Sequence, residues 1–233
     1  MAKVYQATHV GKVRYNNEDA LTVIEPQTYV VADGMGGAQA GEVASRMLIE
    51  TVESFLSKTP RPWGEKVLAQ SILLANDKIL NTAQRHNEYH GMGTTATILS
   101  LDGMTAHFAH VGDSRLYRLR GEEFQQITED HNYVETLVRR GELTAEQARL
   151  HPMKNVLTQA VGAMANLHID AGNFLAQSGD VFLLCTDGLT NMVEDADIKK
   201  ILQTAEQPAE ALIEAALEFG GRDNVTVIVA GVD

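Results

Sequence analysis

Apolar positions along the chain change rhythm several times. Short runs that alternate or stay apolar at 4–9, 20–24 and 28–32 predict strands. From 41 to 56 the period lengthens, and Val43, Ala44, Met47, Leu48, Val52, Phe55 and Leu56 fall on one helical stripe. A second helix is predicted over 65–84, with Val67, Leu68, Ile72, Leu73, Ile79 and Leu80 turned inward. Such stripes read as core faces, not as cofactor-binding surfaces.

Strand patterning returns at Thr94, where TTATILSL, TAHFAHVG and RLYRLR are separated by the turn-like LDGM and GDS, predicting a β-meander. A more polar, helix-prone stretch follows, in which Thr144-x-x-Gln147 has the form of a capping box. LHIDAGNF and GDVFLLCTDG restore strands, helices are predicted over 195–203 and 208–218, and NVTVIVAGV forms a last strand. Strand clusters separated by helix pairs, without regular β-α-β alternation, predict an α+β fold.

At 233 residues and 44% hydrophobic composition, the chain can bury a sizeable core, and one domain over 1–233 is the expectation. No Pro/Ser/Gly-rich tract marks a linker. The segment MAKVYQATHVGKVRYNNED lacks a secretory apolar region and no stretch is apolar enough to span a bilayer, so a cytoplasmic protein is expected. Cys185, the only cysteine, lies in the apolar run VFLLC and reads as a core residue. A net charge of −12, with no segregated basic run, argues against nucleic acid and anionic membrane as partners. It suits divalent cations wherever carboxylates converge.

The carboxylates follow a shared grammar in YVVADGMGG, FAHVGDSR, FLLCTDGLT and FGGRDNVTVIV. In the first three an apolar strand is expected to end on an acid at a Gly-containing turn. In the last, the acid precedes its strand. Each Asp alone reads as an ordinary turn residue. Together, Asp33, Asp113, Asp187 and Asp223, with Glu18-Asp19 behind Arg14, point to a hard-cation site, because oxygen ligands without His or Cys suit Mg²⁺ or Mn²⁺. Zinc patterns, a GxSxG elbow, a Walker loop and a Rossmann fingerprint are all missing.

The ordered set Arg14-x-x-Asn17-Glu18-Asp19, Asp33-Gly34-Met35-Gly36-Gly37, Gly93-Thr94-Thr95, Gly112-Asp113-Ser114-Arg115, Asp187-Gly188-Leu189 and Asp223-Asn224 resembles the metal-dependent Ser/Thr protein phosphatases of the type 2C (PPM) family, in their short bacterial branch. The resemblance covers essentially the whole chain. It implies a four-layer α-β-β-α sandwich of two antiparallel sheets flanked by helix pairs, with a flap insertion at about 128–162. It implies hydrolysis of phosphoserine and phosphothreonine by direct attack of a hydroxide bridging two divalent metals, Mn²⁺ or Mg²⁺, with a weaker third ion.

By motif matching, Asp33 would bridge the two metals, the Gly34 carbonyl would bind one, and Asp187 and Asp223 would complete the other. Asp113 with Asp187 would hold the third ion. Glu18 and Asp19 would act through water, Asn224 would support the ligands, and Arg14 would grip the substrate phosphate. Gly34, lacking a side chain, would let its carbonyl reach a cation while the backbone bends. The implied partners are phosphoprotein substrates and a Ser/Thr kinase whose signalling the enzyme reverses; a monomer is expected.

One departure concerns the general acid. Relatives often carry a histidine two or five residues after the first Asp, where this chain has Met35 and Ala38. Metal-bound water, His131 or His151 are the candidates in its place. Two competing readings are a non-catalytic metal-binding module on the same scaffold and a metal-dependent hydrolase of small phosphomolecules.

Overall fold

The computed structural model describes residues 3–36 and 40–232. Strands β1 (Val4–His9), β2 (Asp19–Ile24) and β3 (Thr28–Met35) lead into helices α1 (Ala40–Leu56) and α2 (Glu65–Arg85). Short β4 (Gly93–Thr94) then precedes β5 (Ala96–Asp102), β6 (Thr105–Val111), β7 (Arg115–Arg120) and β8 (Glu123–Gln126). Helices α3 (Tyr133–Arg139) and α4 (Ala145–Leu150) lie in the insertion. The chain finishes with β9 (Asp170–Leu175), β10 (Val181–Cys185), α5 (Asp187–Thr190), α6 (Asp195–Thr204), α7 (Pro208–Glu218) and β11 (Val225–Gly231).

The strands form two sheets, β1-β11-β10-β7-β8 and β2-β3-β5-β6-β9, with β4 paired to β3, and every pairing is antiparallel. Three buried clusters correspond to the three contacts of a four-layer sandwich. Val30, Ala32, Ile98 and Val111 meet Leu48, Val52, Leu68 and Ile72 of the α1–α2 pair. Tyr29, Val31, Leu99, Leu116, Phe182, Leu184 and Ile228 fill the space between sheets. Leu183, Val227 and Val229 pack under Ile198, Leu212 and Ile213 of α6 and α7. The alternation along β3 and β10 thus sends successive residues to different layers, as the strand period requires.

The α+β sandwich is the one expected, with four local differences. The expected meander is split: β5 and β6 belong to one sheet, whereas β7 pairs with β10 in the other. Gly112-Asp113-Ser114 is therefore the crossover between sheets, not a hairpin turn. Gly112 adopts a φ of +108°, and a Cβ there would lie 2.5 Å from Thr95 Cγ2. β3 also does not stop at its acid but continues through Asp33 and Gly34, because β2 and β4 pair with it there. Leu73 is 46% exposed, since α2 turns its side away while Ala75 and Asn76 face inward. Finally β8 and α5, absent from the sequence reading, are formed.

The insertion caps as read: Thr144 accepts from the Gln147 backbone N–H, and the Gln147 side chain accepts from Thr144 N–H. The Asn132↔Leu157 bridge joins the two arms of the insertion, and Thr94↔Val161 ties its end to β4. Among the described residues, no helix is long and apolar enough to cross a membrane.

Candidate active site

Strand ends at one edge of the sandwich deliver the acids to a cleft of about 300 Å³. Arg14, Glu18, Asp33, Gly34, Asp113, Asp187, Asp223 and Asn224 all line it. Asp19 does not line the cleft; it stands behind Asp33 as its direct cross-strand partner in the β2·β3 ladder. A larger cavity of about 490 Å³ continues beneath α3 and α4 and shares Asp113, Asn155 and Asp187 with the first.

Each acid is fixed by local chemistry. Asp33 is held through its backbone: its N–H donates to Thr95 Oγ1 at 2.9 Å, and its carbonyl accepts from Thr95 N–H and Thr94 Oγ1. Thr95 Oγ1 also shares a 2.7 Å hydrogen bond with Ser114, joining the Asp33 strand to the Asp113 crossover. Asp187 opens α5, and Asn191 Nδ2 donates to its Oδ2 at 2.8 Å. Asn191 Oδ1 in turn accepts from Lys154 of the insertion at 2.8 Å.

Asn224 is a scaffold. Its Oδ1 accepts from Glu18 N–H, and its Nδ2 donates to the carbonyls of Val10 and Asn16, all within 2.9 Å. Asp223 Oδ1 accepts from Asn224 N–H, and its Oδ2 accepts from Arg14 at 2.8 Å. The two residues expected to hold substrate phosphate and cation are thus paired with each other. Arg115 donates a fork of hydrogen bonds to Asp130 and one to Tyr117 Oη, locking the crossover to the start of the insertion.

Glycine is also required at Gly34 by packing. A Cβ there would fall 2.1 Å from the Gly41 carbonyl oxygen and 2.5 Å from that of Glu18, so α1 and the residue leading into β2 demand the bare backbone. Gly34 lies within β3, where the strand passes from pairing with β2 to pairing with β4. At Gly188 a Cβ would fall 1.8 Å from the Asn224 carbonyl oxygen, so α5 and the start of β11 are in backbone contact.

The gathering of acids is electrostatically unfavourable without cations. Burial, then the Asp19, Asp187, Asp113 and Asp223 charges, raise the Asp33 carboxyl well above its ordinary range. Burial, then Asp187 and Asp130, do the same to Asp113. Burial, against two threonine hydroxyls and with Asp187 and Asp223 nearby, lifts Asp19 to about 7. Burial and Asp223 lift Asp187 to about 6, with a hydrogen bond to Asp33 pulling the other way. Glu18 is raised chiefly by burial.

Cations fit this donor set. Its carboxylates are oxygen donors, and among the described residues no His or Cys lines the cleft. Asp19 Oδ2 accepts from Thr186 Oγ1 at 2.8 Å, but Oδ1 is buried without any hydrogen-bond partner. An orphaned carboxylate oxygen among like charges costs free energy that a cation, directly or through water, would offset. Among the described residues no three His, Cys, Asp or Glu side chains are gathered closely enough to hold an ion by themselves. The carboxylates instead stand around a cleft that the Gly34 backbone also lines.

The histidine candidates are not in the cleft. His131 accepts from Gly112 N–H at Nδ1 and faces Asp170 through Nε2 at 3.2 Å, so both ring nitrogens are engaged. His151 caps α4, accepts from Met153 N–H, and stacks obliquely on Tyr133. Met35 lines the cleft, whereas Gly37 and Ala38 lie outside the described residues. Thr95, Thr186 and Asn191 support the site although nothing in GTT, TDG and GLTN but position along the chain points to them.

A family model described as "Protein phosphatase 2C" matches residues 8–218. Protein phosphatase PhpP of Streptococcus pneumoniae is 36% identical over 241 residues, covering 97% of this chain and 96% of its own length. The serine/threonine phosphatase PstP/Ppp of Mycobacterium tuberculosis superposes with a TM-score of 0.93 at 36% identity, over 100% of this chain and 99% of that one. A structure of the catalytic domain of PstP in complex with 2 manganese ions superposes with a TM-score of 0.91 at 36% identity, over 100% and 99% of the two chains.

Proposed function

This chain belongs to the protein phosphatase 2C family, and from that premise we propose that its cleft removes phosphate from phosphoserine and phosphothreonine in proteins with two bound divalent cations. The observation that carries this reading is the convergence of Asp33, Asp113, Asp187 and Asp223 with Arg14 on one cleft. Asp33, the Gly34 carbonyl, Asp187 and Asp223 would hold two ions, Mn²⁺ or Mg²⁺, and Asp113 with Asp187 a weaker third. Glu18 and Asp19 would act through water. When bound, the ions supply positive charge to the phosphoryl oxygens and a nucleophilic water of lowered pKa.

The chain's own residues do the rest. Arg14, planar and permanently charged, leaves Asp223 and forks onto two phosphoryl oxygens, orienting the phosphorus for in-line attack. Asn224 keeps Glu18 and the Arg14 loop in register with Asp223. The leaving alkoxide takes its proton from water in the cleft, because Met35 cannot donate one and His131 is committed elsewhere. The whole chain acts as one catalytic unit with a flap at about 128–162, whose Asn155 and Leu157 reach the cleft. A Ser/Thr kinase acting on the same proteins is the proposed counterpart.

Competition tests the substrate class. With a phosphothreonine peptide as reporter, other phosphopeptides are expected to compete more strongly than nucleotides or sugar phosphates. Stronger competition by the small molecules would replace this reading with a small-phosphoester hydrolase.

A further inference from the structure

We propose that the Arg14 side of the cleft is a docking surface for the segment of a phosphoprotein that flanks the phosphorylated residue, with acidic and apolar flanking residues preferred. The inference rests on the phosphatase reading and extends it to substrate choice. Two loops build this surface, at 11–17 and 219–224. Lys12 N–H donates to the Gly221 carbonyl at 2.7 Å, Arg14 to Asp223 at 2.8 Å, and Asn224 to the Asn16 carbonyl at 2.9 Å. A Cβ on Gly11 would fall 2.3 Å from the Asp223 carbonyl oxygen, so the loops interlock at the backbone and form one platform.

The platform carries two features the rest of the surface does not explain. Lys12 and Arg222 are exposed, and among the described residues neither forms an ion pair, in a chain of net charge −12. Of the three cations on these loops Arg14 lines the acid-walled cleft, and Arg222 adjoins the cleft-lining Asp223 in sequence. Tyr15 is 100% exposed, Val13 61% and Phe219 59%, placing large apolar side chains in solvent on the same two loops. Aromatic side chains beside arginine are the composition of protein-binding surfaces, where a ring buries area at low entropic cost and a rim charge selects the partner. A peptide whose phosphate sits on Arg14 must pass over this platform on one side, so an acid there meets Lys12 or Arg222 and an apolar neighbour meets Tyr15 or Phe219.

The test compares kcat/KM for a phosphothreonine peptide flanked by glutamates, one flanked by serines, and p-nitrophenyl phosphate, which has no flanks. The wild type should prefer the acidic peptide, less so at high salt. Lys12→Gln with Arg222→Gln should lower that preference about five-fold and leave p-nitrophenyl phosphate hydrolysis unchanged. Tyr15→Ser should weaken a peptide with leucine flanks and spare p-nitrophenyl phosphate. An acidic-to-neutral ratio equal in wild type and double variant overturns the proposal. Peptide binding by Asp187→Asn, read by fluorescence anisotropy, separates docking from turnover. A protein inactive on every peptide disproves the phosphatase reading, while an acidic-peptide Kd unchanged by neutralising Lys12 and Arg222 disproves the docking surface.

Discussion

Removing divalent cations at rising pH should unfold this protein more easily, in a direction opposite to that of most proteins with paired carboxylates. Asp187 sits at about 6 and Asp19 at about 7 when no cation is present, against an unfolded value of ~3.9. Their folded values are raised, so the folded state holds these protons more tightly than the unfolded chain does. That contribution is fully present below the unfolded value and is lost as pH climbs through 4 to 7. Two to three pH units at ~1.4 kcal/mol each give about 3–4 kcal/mol for either carboxyl taken alone. For a chain of this size that corresponds to a fall of roughly 10 °C in Tm.

Bound cations replace the protons, so their stabilisation should grow over the same interval. Calorimetric or fluorescence melts between pH 5 and 7.5 in EDTA, and again in Mn²⁺, make the comparison. Asp19→Asn should flatten the EDTA curve, because the amide carries no charge and does not titrate. A Tm in EDTA that is constant or rises over this interval, with no gain from Mn²⁺, would refute the electrostatic account of the cleft.

Other consequences are local. Gly188→Ala forces apart backbones whose new contact would be 1.8 Å, so a loss of about 3 kcal/mol in melts, with weaker Mn²⁺ binding by calorimetry, is expected; an unchanged Tm would contradict the close approach of α5 to β11. Arg14→Ala should raise KM for phosphopeptides by at least ~10-fold while changing cation affinity only a few-fold, because the exposed Asp223 pair is weak. An unchanged KM would remove Arg14 from phosphate binding. Arg115→Ala leaves Asp130 buried without its fork and should cost ~3–5 kcal/mol, measured by urea melts, with Asp130→Asn expected to recover part of the loss in the double variant.

Much of this organisation was legible in the sequence because it is periodic. Leu48, Val52, Leu68 and Ile72 stripe their helices, and the strand runs around Val30, Ile98, Leu183 and Ile228 carry the layers. The acids could be located because each sits where an apolar run changes into glycine or starts again. Partner choice was not legible. Whether β7 pairs with β6 or β10 depends on the crossover at Gly112-Asp113-Ser114, which looks like any short turn. The site's supports, Thr95, Thr186 and Asn191, are single polar residues whose role comes from neighbours up to 167 positions away, as with Thr186 and Asp19. Gly34 shows the same limit: that its missing side chain makes room for the Gly41 and Glu18 backbone could not be read from the sequence.

The central claim is that these carboxylates and Arg14 form a cation-dependent phosphoprotein phosphatase site. Phosphate release from a phosphothreonine peptide, measured in EDTA, Mg²⁺ and Mn²⁺ beside Asp187→Asn, tests it most directly. Release only with cation, and its collapse in a folded Asp187→Asn variant, is the predicted result. Equal release in EDTA, or wild-type turnover by the variant, would contradict it.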